Sequence, residues 1–217
     1  MVNYKQKENY RVEDLVGIMA ILRGEGGCPW DREQTHESIR QNMLEEAYEA
    51  AEAIDLGNTD MLKEELGDVL LQVVFHAQME REAGSFTLND VADGICKKLI
   101  LRHPHIFGDV QVANSAEVLV TWDAIKKQEK SQKTTTDTLT AVARSLPALI
   151  RAEKVQKKAG KAGFPVEYTD AENKIGEKLF ALVREAREIG VDPERALEIA
   201  IDAYIKNINK LEEMKKV

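Results

Sequence analysis

The residues best suited to chemistry in this sequence are carboxylates. Glu45, Glu46, Glu49 and Glu52 crowd one stretch, and Glu64, Glu65 and Asp68 answer them after the turn-forming run Gly57-Asn58-Thr59-Asp60. Side chains three or four apart share a helix face, so Glu46 with Glu49, and Glu65 with Asp68, each form a two-pronged claw. The short connection makes the two helices antiparallel neighbours and sets the claws at matching height. Four converging carboxylates repel one another unless a cation lies between them. Hard oxygen donors that work beside phosphate select Mg²⁺, with Mn²⁺ as the alternative. A solvated acidic face is the plainer reading of such a run. Against it stand the apolar surroundings of Asp68 (Val69-Leu70-Leu71 and Val73-Val74-Phe75) and the scarcity of basic partners, since Lys63 is the single one between Glu45 and Gln72.

Further groups could complete a site. Lys98 and Arg102, four apart on one predicted helix, can hold phosphate oxygens, the guanidinium as a bidentate fork; a basic helix end favoured by the dipole is the competing reading. The loop from Gly26 to His36 carries Trp30, which has no core periodicity, and Trp122 lies further on. His76 reads as a packed polar residue, and His103 and His105 flank Pro104 in a turn. A di-iron carboxylate bundle needs Glu-x-x-His on two helices. Here only Glu33-Gln34-Thr35-His36 fits, and it begins in a loop.

The elements that must position these groups are helical. Apolar residues recur at three- and four-residue intervals, with no alternating runs, so the expected class is all-α. Helices are predicted over Glu13–Arg23, Thr35–Leu56, Met61–Ala83, Leu88–Leu101 and Ala116–Lys130, with Leu44, Ala47, Ala51 and Ile54 forming the apolar stripe of the second. Gly24 to Pro29, Gly57-Asn58, Gly84-Ser85 and Pro104 end them in turn. The polar run Ser131 to Thr136 reads as linker, giving an expected division into 1–130, a linker 131–140, and 141–217. The second part echoes the first. Glu64 to Leu71 aligns with Asn173 to Phe180, glycine on glycine, which suggests a duplicated helical unit. The copies are unequal, because 164–173 is too short for a counterpart of the long acidic helix.

The chain has 217 residues, 43% hydrophobic and 31% charged, so it folds around a core and is not disordered. Its net charge of -8 argues against a nucleic-acid partner. Cys28 and Cys96 are too few for a disulfide framework, and no stretch has the roughly 18 apolar residues of a membrane span. The expectation is a cytoplasmic protein with reduced thiols.

The loop CPWDREQTHESI, the pattern LEEAYEAAEAI, the downstream EELGD and the stretch KKLILRHPHIF together resemble the MazG family of all-α nucleoside triphosphate pyrophosphohydrolases. The resemblance covers residues 10 to 130. It implies an antiparallel helical bundle, a homodimer, and Mg²⁺-dependent hydrolysis of nucleoside triphosphates, broad in base, to monophosphate and pyrophosphate. It also implies Glu46, Glu49, Glu65 and Asp68 as metal ligands. Glu45 is a further ligand or a group that orients or deprotonates the attacking water. Lys98 and Arg102 fall on phosphate-contacting positions, and Trp30 or Trp122 stacks on the base. Full-length members carry two such domains, which accounts for the repeat. This sequence departs from the pattern there: Lys174 and Glu177 replace Glu65 and Asp68, and no acidic helix precedes them, so the second copy is expected to be catalytically silent. A nucleotide-sensing or scaffold dimer with a vestigial site is the non-enzymatic alternative, and the intact claws argue against it.

Overall fold

The computed structural model describes residues 4–129, 134–164, 174–201 and 203. Every regular element among them is an α-helix: α1 (Val12–Arg23), α2 (Pro29–Glu33), α3 (Arg40–Asp55), α4 (Thr59–Glu82), α5 (Leu88–Arg102), α6 (Pro104–Phe107), α7 (Ser115–Glu129), α8 (Thr135–Thr140), α9 (Ala148–Lys161) and α10 (Lys174–Glu188). The all-α expectation therefore holds. The chain forms two compact units, Met1–Gln111 and Val112–Val217. The compositional reading divides it later, at 131–140, so α7 falls in the second unit and not the first.

The first unit is organised by α4. Met19 of α1, Ile39, and Val74, Phe75 and Met79 of α4 form its buried core, with Leu15, Leu22, Leu70, Leu71 and Leu88 packed around them. The α3–α4 hairpin closes on hydrogen bonds from Asn58 N to Ala53 O (3.0 Å) and Gly57 N to Ile54 O (3.1 Å). This double closure requires a left-handed residue, and Gly57 supplies it at φ 63°. Asn58 then serves at once as N-cap of α4, accepting from Met61 N at 3.2 Å. Two long helices are thus joined with almost no loop, which leaves them antiparallel side by side. At the start of α5, Thr87 and Asp90 form a reciprocal capping box.

Two differences from the predicted elements have local causes. The helix expected from Thr35 starts at Arg40, because Thr35 and Ser38 bond each other's backbone N–H (2.9 and 3.3 Å) in a turn that buries Ile39. The expected linker includes α8: Thr134 and Asp137 cap it reciprocally, and its own Thr138 is buried. That signal is a capping box without apolar periodicity, while Ser131 to Lys133 lie outside the described residues.

In the second unit α9 packs on α10, and α8 on α9. The helix partnering α10 among the described residues is therefore α9. The fully buried Gln156 of α9 donates from Nε2 to the carbonyl of Phe180 on α10 at 2.7 Å. Residues 193–201 are helical, and beyond them the structure describes only Ala203.

Candidate metal centre

Glu49 and Glu65 each stand eight residues from Gly57, on opposite arms of the hairpin. Glu46 and Asp68 each stand eleven away, so the turn brings both pairs to the same level. Glu46, Glu49 and Glu65 each offer a carboxylate oxygen within 4.8 Å of the other two. Glu46 and Glu65 are half-buried and Glu49 is exposed. Burial raises the Glu46 pKa, and the charges of Asp68, Glu49 and Glu65 add to it. Burial raises Glu65 too, with Glu49, Glu64 and Asp68 adding. Each also lies within hydrogen-bond reach of Glu49, a contact that needs a shared proton. The chain has thus assembled negative charge with no cation among its own described side chains to balance it at this point.

The donor set fits a small divalent cation. Oxygens around an octahedral Mg²⁺ at about 2.1 Å lie about 3 to 4.2 Å apart, so the triad needs only side-chain adjustment to close. Asp68, half-buried on α4 and electrostatically coupled to Glu46 and Glu65, is the natural fourth member. Glu45 is not drawn in. It is exposed and accepts from Gln41 Nε2 on its own helix at 3.4 Å.

The other predicted site residues are spread more widely. Lys98 is exposed and Arg102 half-buried, one turn apart on α5, which packs against α4. Trp30 stands on α2 with 58% of its surface exposed. Trp122 is half-buried on α7, in the second unit.

The loop carrying Trp30 is held by groups that sequence reasoning passed over. Arg23, at the end of α1, donates from Nη1 to the carbonyls of Asp31 and Gln34 and from Nε and Nη2 to Glu82 of α4. Its guanidinium also lies 5.4 Å from the Phe75 ring centre. Burial opposes the Glu82 carboxylate, but Arg23 and Gln78 outweigh it and hold its pKa low. One turn further, His36 stacks on His76, ring centres 5.0 Å apart and nearly parallel. Their Nδ1 atoms are 2.7 Å apart, and His36 Nε2 is 2.7 Å from Glu80 Oε1. A carboxylate can only accept, so His36 Nε2 carries its hydrogen, leaving one hydrogen between the two Nδ1 atoms. The spacing of His76 and Glu80 on one helix face is the available signal; the sequence marks His36 only within Glu33-Gln34-Thr35-His36, and nothing local joins it to His76 or Glu80.

The MazG nucleotide pyrophosphohydrolase domain pattern matches residues 34–107, the stretch that holds α3, α4, α5 and α6. Over 93% of its length the chain is 41% identical to the nucleoside triphosphate pyrophosphohydrolase/pyrophosphatase MazG of Thermotoga maritima, covering 86% of that protein. The chain belongs to the MazG family. A second MazG relative, the nucleoside triphosphate pyrophosphohydrolase of Escherichia coli, is 39% identical, with 93% of this chain and 87% of that one covered. YabN of Bacillus subtilis, an uncharacterized protein, is 43% identical over 92% of this chain, which corresponds to 46% of YabN. The MazG resemblance seen in the motifs is therefore a family relationship that runs along most of the chain.

Proposed function

We propose that this chain hydrolyses nucleoside triphosphates to the monophosphate and pyrophosphate at the α3–α4 hairpin. The observation that carries the reading is the convergence of Glu46, Glu49 and Glu65 from two helices, with Asp68 beside them. Water attacks the α-phosphorus, the bond to the bridging oxygen breaks, and pyrophosphate leaves. Such a reaction has little covalent chemistry for a protein to supply, so positioning and charge neutralisation carry it. Glu46, Glu49, Glu65 and Asp68 hold Mg²⁺, or Mn²⁺ in its place. The bound ion would supply neutralisation of phosphate charge and acidification of the attacking water. Glu45, outside the triad, is free to orient that water or take its proton. Lys98 and Arg102 hold the β- and γ-phosphates, and exposed Trp30 offers a flat face to the base, a contact that every base can make. Broad base preference follows.

The second unit is a degenerate copy, with Lys174 where the first copy has Glu65. The assembly is a homodimer. The predicted apolar stripe of α3, Leu44, Ala47, Ala51 and Ile54, is exposed within the single chain, whereas Ala50 and Ala53 face α4. Val91, Ile95 and Leu99 make a second exposed stripe on α5. Patches of this kind mark an interface. No helix of the described residues is long and apolar enough to cross a membrane, and the free thiols Cys28 and Cys96 suit a reducing cytoplasm.

The test is incubation with each common nucleoside triphosphate and Mg²⁺, with product identification. Monophosphate and pyrophosphate are expected; diphosphate with inorganic phosphate would place the attack at the γ-phosphorus and overturn the reading.

A further inference from the structure

The second unit contains a cavity of about 400 Å³ bounded by α8, the turn after it, α9 and α10. That size falls within the range of small-molecule sites, about 300 to 1,000 Å³. Positions 148, 151, 152 and 155 of α9 recur at helix spacing and all face it. Ala148 and Ala152 are small, which is why space remains between the helices. Leu139, Leu146, Val155 and Phe180 make the rest of the wall largely apolar. The buried Gln156 amide fixes the Phe180 backbone, so that wall is anchored.

Into this apolar lining the sequence places two arginines, Arg144 and Arg151. Among the described residues neither guanidinium has a hydrogen-bond or ion-pair partner, and none that lines the cavity is acidic. Arg151 Nε is buried without an acceptor. A donor left in that state is costly, and an anion removes the cost. Two unpaired positive charges match a phosphate monoester dianion better than a carboxylate, and the guanidinium fork suits phosphate oxygens. The apolar wall and Phe180 suit a flat, weakly polar body.

We propose that this cavity binds a small organic phosphate monoester, its phosphate between Arg144 and Arg151 and its flat body against Phe180 and Leu146. The inference stands apart from the carboxylate site, since it uses none of its residues.

The test is calorimetric titration of the full chain in EDTA with phenyl phosphate, inorganic phosphate and benzoate. Phenyl phosphate is expected to bind saturably and at least about tenfold more tightly than either half-probe, because each lacks one of the two contacts. Arg144→Gln and Arg151→Gln are each expected to weaken it by about tenfold or more through loss of a charged hydrogen-bond donor, and Arg151→Lys less than Arg151→Gln. Circular dichroism checks folding, and Arg144, which is exposed, gives the variant safest for the fold. Glu49→Gln is expected to leave the affinity unchanged. Absence of saturable binding, inorganic phosphate binding as tightly as phenyl phosphate, undiminished affinity in Arg144→Gln, or loss of affinity in Glu49→Gln would each overturn the proposal.

Discussion

The helix pairs α3–α4 and α9–α10 pack alike but present different side chains. In the first, small Ala50 and Ala53 are buried against α4, and half-buried carboxylates line the face that remains. In the second, Gln156 and Val183 are buried, and the residue aligned with Glu65 is Lys174. Packing needs only apolar or small residues at the right spacing, so it tolerates wide change elsewhere. The proposed metal site sets four acidic side chains at one level, and a Lys in place of one Glu there would repel the cation. On the proposed duplication, the frame outlasts the chemistry.

The sharpest way to break this contrast is Glu49→Gln, which removes a charged ligand and nearly keeps the shape. Turnover at limiting Mg²⁺ is expected to fall by about a hundredfold or more, as losses of metal-site groups do, while helical circular dichroism is unchanged. A near-normal rate would remove the metal from the first hairpin. The next effect is thermal. Metal at a hundred times its dissociation constant stabilises the folded state by about 2.7 kcal/mol, so Mg²⁺ is expected to raise the Tm of the chain by a few degrees. Glu49→Gln should lose that response, and its metal-free Tm should exceed that of the parent, since repulsion with Glu46 and Glu65 is relieved. A Tm that responds to Mg²⁺ equally in both would refute the site.

A smaller effect concerns pH and sets the two ends of α4 against each other. Burial, then His36, lowers the His76 pKa from its usual 6.5. Hydrogen bonds from Ser85 and then His36 lower Glu80 from 4.5. In both cases the unfolded chain binds more protons, so stability is full above the unfolded values and is lost as pH falls below 6.5, then further below 4.5. Glu46 and Glu65, raised from 4.5, have the opposite sign: without metal they cost stability as pH rises through their folded values. A Tm that declines from pH 7 to 5, with a shallower decline in His76→Gln, is the expected result; an unchanged slope in that variant would discount His76. The smallest expected effect is none. Glu177→Gln should leave the rate within about twofold of the parent, as surface changes away from a site do, and a large loss in steady-state assays would give the second unit a part in catalysis.

Much of the first unit is legible because its signals are local. Gly57-Asn58 announces the hairpin, and Glu46, Glu49, Glu65 and Asp68 declare their shared level by spacing alone. The start of α3 was hidden because Thr35 and Ser38 satisfy a turn with side chains that would equally cap a helix. The predicted stripe of Leu44, Ala47, Ala51 and Ile54 is exposed within this chain while Ala50 and Ala53 are buried, because periodicity marks an apolar face without saying which residues α4 covers. The contacts of Arg23 and His36 were invisible for a different reason: their partners, Glu82, His76 and Glu80, lie 40 or more residues away in sequence, and no window along the chain contains both ends.

The tight closure at Gly57 has one more consequence, in the order of folding. All four proposed ligands lie between residues 46 and 68, so their encounter closes a short stretch of chain and does not wait for α1 or α5 to arrive. A hairpin of this kind can take shape soon after its last residue is made, and a cation arriving then meets its carboxylates before the core around Phe75 is complete. Whatever free energy the ion releases is deposited in a single cooperative segment, and slowed amide exchange within α3 and the first half of α4 is where it should first be felt.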